Sequence, residues 1–204
     1  MLEKKYVTLK NGETYAYLEK GTGDKVLVLI HGNLSSSVYY KPLIDRLPDD
    51  IRVIAPDLRG FGNSSYQNPF DSLATLATDI QLLLSELKIS KAHIAGWSLG
   101  GGVAMEFAAR YPKSTEKLIL INSTTHKGYP IFKKDPQNAP IFTEGYKNKD
   151  EMAKDPIQVK PILEAIATEN AFFMSYIYDL TIYTNKKPSP EDSQLYIAET
   201  LKQR

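Results

Sequence analysis

The stretch from Lys91 to Met105, Lys-Ala-His-Ile-Ala-Gly-Trp-Ser-Leu-Gly-Gly-Gly-Val-Ala-Met, limits the possible folds more than any other part of the chain. Ala92 to Ala95 reads as a short buried strand and Leu99 to Arg110 as a helix. Only Gly96-Trp97-Ser98 separates them, so the chain must turn sharply at Ser98. A serine in such a turn needs neighbours without bulk two positions away on each side, and Gly96 and Gly100 meet that need. Gly101 and Gly102 would let the new helix pack tightly on a sheet. Ser98 then stands at the N-terminus of a helix, where the positive end of the helix dipole favours developing negative charge.

The surrounding pattern supplies that sheet. Tyr6 to Leu9 and Thr14 to Leu18 read as strands joined at Asn11-Gly12, a dipeptide suited to a tight turn. Val26-Leu27-Val28-Leu29-Ile30 has no polar alternation and predicts a strand buried on both faces. Ile51 to Ala55 and Leu118 to Ile121 are further strands, and Tyr39 to Leu47 reads as a helix. Asp71 is placed to cap a helix in which Leu73, Leu76, Ala77, Ile80, Leu83, Leu84 and Leu87 form one apolar stripe. Strands alternating with helices predict an α/β fold: a mostly parallel sheet flanked by helices, with the N-terminal hairpin adding an antiparallel edge. After Thr125 the character changes. Seven of the 12 prolines follow, at 130, 136, 140, 156, 161, 188 and 190, and no segment reads as a strand. Asp155-Pro156, Asn170-Ala171 and Ser189-Pro190 look like helix starts. Residues 1–125 are therefore expected to form the core and residues 126–204 a helical cap.

Composition narrows the function classes. A net charge of +1 gives no electrostatic grip on nucleic acid or on an acidic membrane surface. The longest aliphatic run is far too short to cross a bilayer. Met1 to Tyr6 lacks the apolar stretch of a signal peptide. With no cysteine, disulfides and thiolate chemistry are excluded, and a cytoplasmic protein is the simplest reading.

Two more segments bear on chemistry. His31-Gly32-Asn33-Leu34 follows the buried strand directly. A tetrahedral oxyanion needs two positioned N–H donors, and the Asn33 and Leu99 amides are the candidates. Asp57-Leu58-Arg59-Gly60-Phe61-Gly62 is read as a loop braced by an ion pair.

Taken in this order, the His-Gly loop, the Asp-x-Arg-Gly-x-Gly loop and the Gly-x-Ser-x-Gly turn resemble the α/β-hydrolase fold family, most closely its esterase, lactonase and epoxide-hydrolase branch with a helical cap. The resemblance rests on specific motifs over about residues 4–125. It implies a serine hydrolase acting on carboxylic esters or lactones, with Ser98 as nucleophile, no metal or organic cofactor, and a small-molecule substrate. Trp97, Tyr176 and Tyr183 are candidate substrate contacts, Tyr176 and Tyr183 sharing a helix face with Phe172. An epoxide hydrolase or dehalogenase is disfavoured, because an alkyl-ester intermediate requires a carboxylate nucleophile where this chain has Ser98. A cofactor-free C–C hydrolase, a haloperoxidase-like enzyme and a non-catalytic binding fragment remain alternatives.

The resemblance also sets an order of serine, acid, histidine. Only His126 follows Ser98 among the three histidines, and Asn122-Ser123-Thr124 offers no carboxylate after the next strand. Helical periodicity still runs at Leu195, Ala198 and Leu201. The last strands of the fold are thus expected to be missing, with an open sheet edge through which copies could associate.

Overall fold

The computed structural model describes residues 3–204. Met1 and Leu2, which begin the stretch read as lacking a leader, lie outside the described residues. Two compact units are present, one running to Lys127 and including Lys202–Arg204, the other Gly128–Leu201.

The first unit is built on a six-stranded sheet. Its strands are β1 (Lys5–Thr8), β2 (Thr14–Lys20), β3 (Lys25–Ile30), β4 (Ile51–Pro56), β5 (Ala92–Trp97) and β6 (Thr115–Ile121), in the order β1-β2-β4-β3-β5-β6. β1 and β2 pair antiparallel, as do β2 and β4, and the remaining pairs are parallel. The side-chain period of two divides each central strand between two cores. Val28, Ile30, Ile54 and Ile94 pack with Leu76, Ile80, Leu83 and Leu84 of α2 (Leu73–Glu86) and Val103 and Phe107 of α3 (Leu99–Arg110). Leu29, Val53, Ala55 and Ala95 face the other way, onto Tyr40 and Ile44. That division is why the Val26–Ile30 run carries no polar alternation. Fully burying a single Leu or Ile is worth about 1.5–3 kcal/mol, so the run itself holds the centre of the sheet.

Local details differ from the sequence reading. The segment read as one helix over Tyr39–Leu47 is a 3-10 turn, Ser37–Tyr40, followed by the single-turn α1 (Lys41–Ile44). Ser72, not Asp71, occupies the N-cap of α2. Asp57 and Arg59 brace their loop through separate partners. Asp57 accepts from Lys4 Nζ at 2.7 Å and from the Ser37 and Asn63 amides at 2.8 Å. Arg59 makes a forked pair with buried Asp79 of α2, at 2.8 and 2.6 Å, and Tyr15 OH donates to the same carboxylate.

The second unit holds α4 (Lys149–Met152), α5 (Lys160–Ala167), α6 (Ala171–Thr181) and α7 (Pro190–Thr200). It also contains an antiparallel hairpin, β7 (Phe132–Lys134) with β8 (Pro140–Gly145), where no strand was expected. Its turn is held by Asp135, whose carboxylate accepts from the Gln137 and Ala139 amides. Asn170 and Ser189 cap α6 and α7 as expected, each accepting a backbone N–H of the first turn. Asp155 instead closes a turn over 156–159, and α5 begins only at Lys160. α7 ends at Thr200, so the periodicity read through Leu201 stops short of the last residues. Among the described residues no helix is long and apolar enough to cross a membrane.

Candidate active site

Ser98 lies between the last residue of β5 and the first of α3, with φ 53° and ψ −118°. Side chains other than hydrogen rarely adopt this region. The neighbouring glycines permit it. A Cβ on Gly96 would come within 2.1 Å of the Gly100 carbonyl oxygen, and one on Gly100 within 2.1 Å of the Ile30 carbonyl oxygen. No alanine fits either position without moving backbone. The turn is fastened to the end of β6: Ser98 N–H donates to the Ile121 carbonyl at 3.3 Å and Thr124 N–H to the Ser98 carbonyl at 3.1 Å. The Ser98 side chain is partly exposed.

The loop after β3 runs alongside. A Cβ on Gly32 would approach Ser98 Cβ to 3.1 Å and the Trp97 ring to 3.3 Å. His31 sets the loop from beneath. Its buried ring has Nδ1 2.8 Å from the Gly32 carbonyl, and Leu58 N–H donates to Nε2 at 2.9 Å. A carbonyl only accepts and an amide N–H only donates, so the ring is the neutral tautomer with its proton on Nδ1. His31 therefore ties the two motif loops together and is not placed as a base. Phe61 packs against the ring edge, with centroids 5.2 Å apart.

Of the expected site residues, Ser98, Leu99, Trp97 and the loop carrying Asn33 come together in the first unit. Trp97 is half-buried, packs on the second core and stacks obliquely with Tyr39, centroids 6.2 Å apart. The Asn33 side chain is exposed, and its Oδ1 accepts from Gln203. Sequence reading did not single out Gln203, and with about 170 residues between the two there was no local pattern to reveal it.

Tyr176 and Tyr183 belong to the second unit and do not share a helix face. α6 ends at Thr181, so Tyr183 lies past it, turned back onto Tyr178 with ring centroids 5.7 Å apart. Burial raises its hydroxyl pKa above the ordinary tyrosine value. Tyr176 stays on the helix and is 56% exposed. Phe172 does line a groove of about 580 Å³ between α6 and α7, together with Ser175, Pro190, Gln194 and Ile197.

Of the remaining histidines, His93 is poorly placed for proton transfer with Ser98. His93 is near the start of β5, five residues away along an extended strand, or roughly 16 Å. It borders a polar cleft with Lys91 and Glu116 at the opposite end of the strands. His126 is exposed in a turn beyond β6. No group of three His, Asp or Glu residues able to hold a metal ion occurs among the described residues.

Residues 25–159 match the family described as alpha/beta hydrolase fold. Lipase 3 of Moraxella sp. is 36% identical over 126 residues, which cover 60% of this chain and 39% of that protein. The cis-3-alkyl-4-alkyloxetan-2-one decarboxylase of Shewanella oneidensis is 34% identical over 128 residues, covering 59% and 39%. Among solved structures, an esterase from Exiguobacterium antarcticum superposes with a TM-score of 0.72 at 19% identity, covering 98% of this chain and 69% of that one. The matching segment thus spans about two fifths of the length of the two curated relatives.

Proposed function

Because the chain belongs to the alpha/beta hydrolase fold family, we propose that it carries the nucleophile and oxyanion-binding part of a serine hydrolase acting on carboxylic esters or lactones. The observation that carries this reading is the backbone of Ser98 at the head of α3, with Gly32 packed against its Cβ. In the proposed reaction Ser98 Oγ attacks the ester carbonyl, and its proton passes through solvent water to the leaving-group oxygen. The carbonyl oxygen, now negative, is held by the Asn33 and Leu99 N–H groups and by the positive end of α3. Collapse expels the alcohol and leaves an acyl-serine, which water then hydrolyses. Trp97 would form a wall of the acyl site. The similarity to Lipase 3 of Moraxella sp. supports hydrolysis as the reaction class.

A serine hydroxyl is a weak nucleophile until a base removes its proton. With His93 distant and no carboxylate among the described residues set against His126 to orient it, this 204-residue chain is expected to acylate slowly and turn over poorly. Loss of the histidine in a serine protease costs on the order of a million-fold in kcat, leaving oxyanion and binding effects. The test is hydrolysis of p-nitrophenyl butyrate by the purified chain beside Ser98→Ala. A small release of nitrophenolate that Ser98→Ala abolishes supports the reading. Equal release by the two proteins would overturn it, and rapid turnover abolished by His126→Ala would make His126 the base.

A further inference from the structure

Lys202–Arg204 lie across the two motif loops of the first unit. Gln203 Oε1 accepts the Leu34 N–H at 3.0 Å while its Nε2 donates to Asn33 Oδ1 at 3.0 Å. On either side, Lys202 Nζ donates to Asn63 Oδ1 at 2.7 Å, Arg204 N–H to the Gly60 carbonyl at 2.9 Å, and the Arg204 guanidinium to the Ser64 carbonyl at 3.0 Å. We propose that Gln203 is a positioning residue for the oxyanion loop. This rests on the reading of Asn33 and Leu99 given above.

The chemistry of the contact favours a carboxamide. One planar group must accept from a backbone N–H and donate to an amide oxygen at the same time, and the carboxamide of Gln carries both functions side by side on one terminal carbon. Gln203 grips Asn33 from two directions, by its side chain and by the peptide that follows it. That peptide leads into Leu34, whose φ of 56° is a left-handed conformation unfavourable for leucine. With the Gln203 bond to its N–H removed, Leu34 is freer to relax toward ordinary backbone angles, and the relaxation turns Asn33. On the oxyanion reading, the Asn33 N–H is then no longer held toward the substrate oxygen. Lys202 and Arg204 hold the segment on the neighbouring loop, so Gln203 meets Asn33 in one register.

The experiment compares the full chain with Gln203→Ala and Gln203→Glu. Backbone amide exchange by NMR reads the contact without requiring activity. In Gln203→Ala, Leu34 N–H should exchange roughly tenfold faster, the scale of one lost hydrogen bond. Gln203→Glu keeps the acceptor and should restore Leu34 protection, while the Asn33 side-chain signals still shift because the donor is gone. Stopped-flow acylation by p-nitrophenyl butyrate reads the consequence: in Gln203→Ala the acylation rate should fall roughly tenfold with KM changed less than about twofold. Unchanged Leu34 exchange in Gln203→Ala would overturn the proposal, as would faster exchange with an unaltered Ser98-dependent acylation rate. If Ser98→Ala acylates as fast as the parent chain, the nucleophile reading falls, and Leu34 exchange alone upholds or overturns the positioning of the loop.

Discussion

Ser98 is held in a backbone conformation that costs on the order of 1–3 kcal/mol for a residue with a side chain. The bonds to Ile121 and Thr124 hold it there, so the strain is stored locally and balanced by the sheet. Replacing the side chain should reveal it. Glycine tolerates φ 53° freely but loses more entropy on folding than alanine, which offsets part of the gain. Ser98→Gly is therefore expected to be about 1 kcal/mol more stable than Ser98→Ala. Urea denaturation of the two variants decides this, and equal midpoints would mean that the turn is relaxed. His31 makes a second case. Its Nε2 accepts the buried Leu58 N–H. His31→Phe keeps a ring but leaves that donor unpaired, and should lower stability by about 1–3 kcal/mol. Faster exchange of the Leu58 amide in the same variant would locate the loss, and an unchanged amide would rule the bond out as its cause.

Elements whose cause is local were readable from the chain. The Ser98 turn, β3, α2 and the caps at Asn170 and Ser189 each follow from residues within a few positions of one another. The β7–β8 hairpin was not readable, because β7 is three residues long and Phe132-Lys133-Lys134 shows no alternation. Asp155-Pro156 misled for a related reason. The capping chemistry of Asp155 is real, but tertiary partners draw its carboxylate into a turn, where Lys134 Nζ donates at 2.9 Å and Tyr146 OH at 2.7 Å. Gln203 shows the same dependence on distant partners. Asp155 gives the second unit a predictable pH response. Burial works to raise its pKa, but the bonds from Lys134, the Gln158 amide and Tyr146 outweigh burial and hold the carboxyl well below the usual aspartate range. A group depressed on folding contributes stability above its unfolded pKa of about 3.9 and loses it as pH falls toward the folded value. The second unit should therefore weaken progressively from about pH 5 downward. Asp155→Asn should be less stable at pH 7 and show a flatter dependence between pH 5 and 3. A parallel pH dependence in the two proteins, followed by tyrosine near-UV circular dichroism, would assign the acid response to other carboxylates.

Across the first unit, coverage of the sheet is uneven. β3 and β5 have a partner on each side, whereas β6 has β5 on one side and no described strand on the other. Leu118, Ile119, Leu120 and Ile121 are 38, 42, 47 and 37% exposed, on both faces of the strand. Parallel strands this apolar are ordinarily covered on both faces. An uncovered edge also presents a row of backbone donors and acceptors that can pair with another chain. Charge offers little resistance: Glu116 and Lys117 flank the run, but Glu116 is already paired with Lys91 at 2.6 Å. The purified chain is therefore expected to self-associate, with a weight-average mass that rises with concentration in sedimentation equilibrium. Ile119 and Leu120 point to opposite faces, so Ile119→Lys and Leu120→Lys place a charge on each face in turn while keeping the backbone edge. If side-chain burial drives association, either variant should weaken it by at least about tenfold, since a lysine would have to be desolvated where an apolar group was buried. If backbone pairing dominates, Ile119→Lys and Leu120→Lys should associate nearly as well as the parent chain. A substitution to proline at Leu118, Ile119 or Leu120, whichever has its N–H on the open side, should then abolish association. A monomer at every concentration in the parent chain would show that β6 is stable in water as an edge, and the expectation of association between copies would fall.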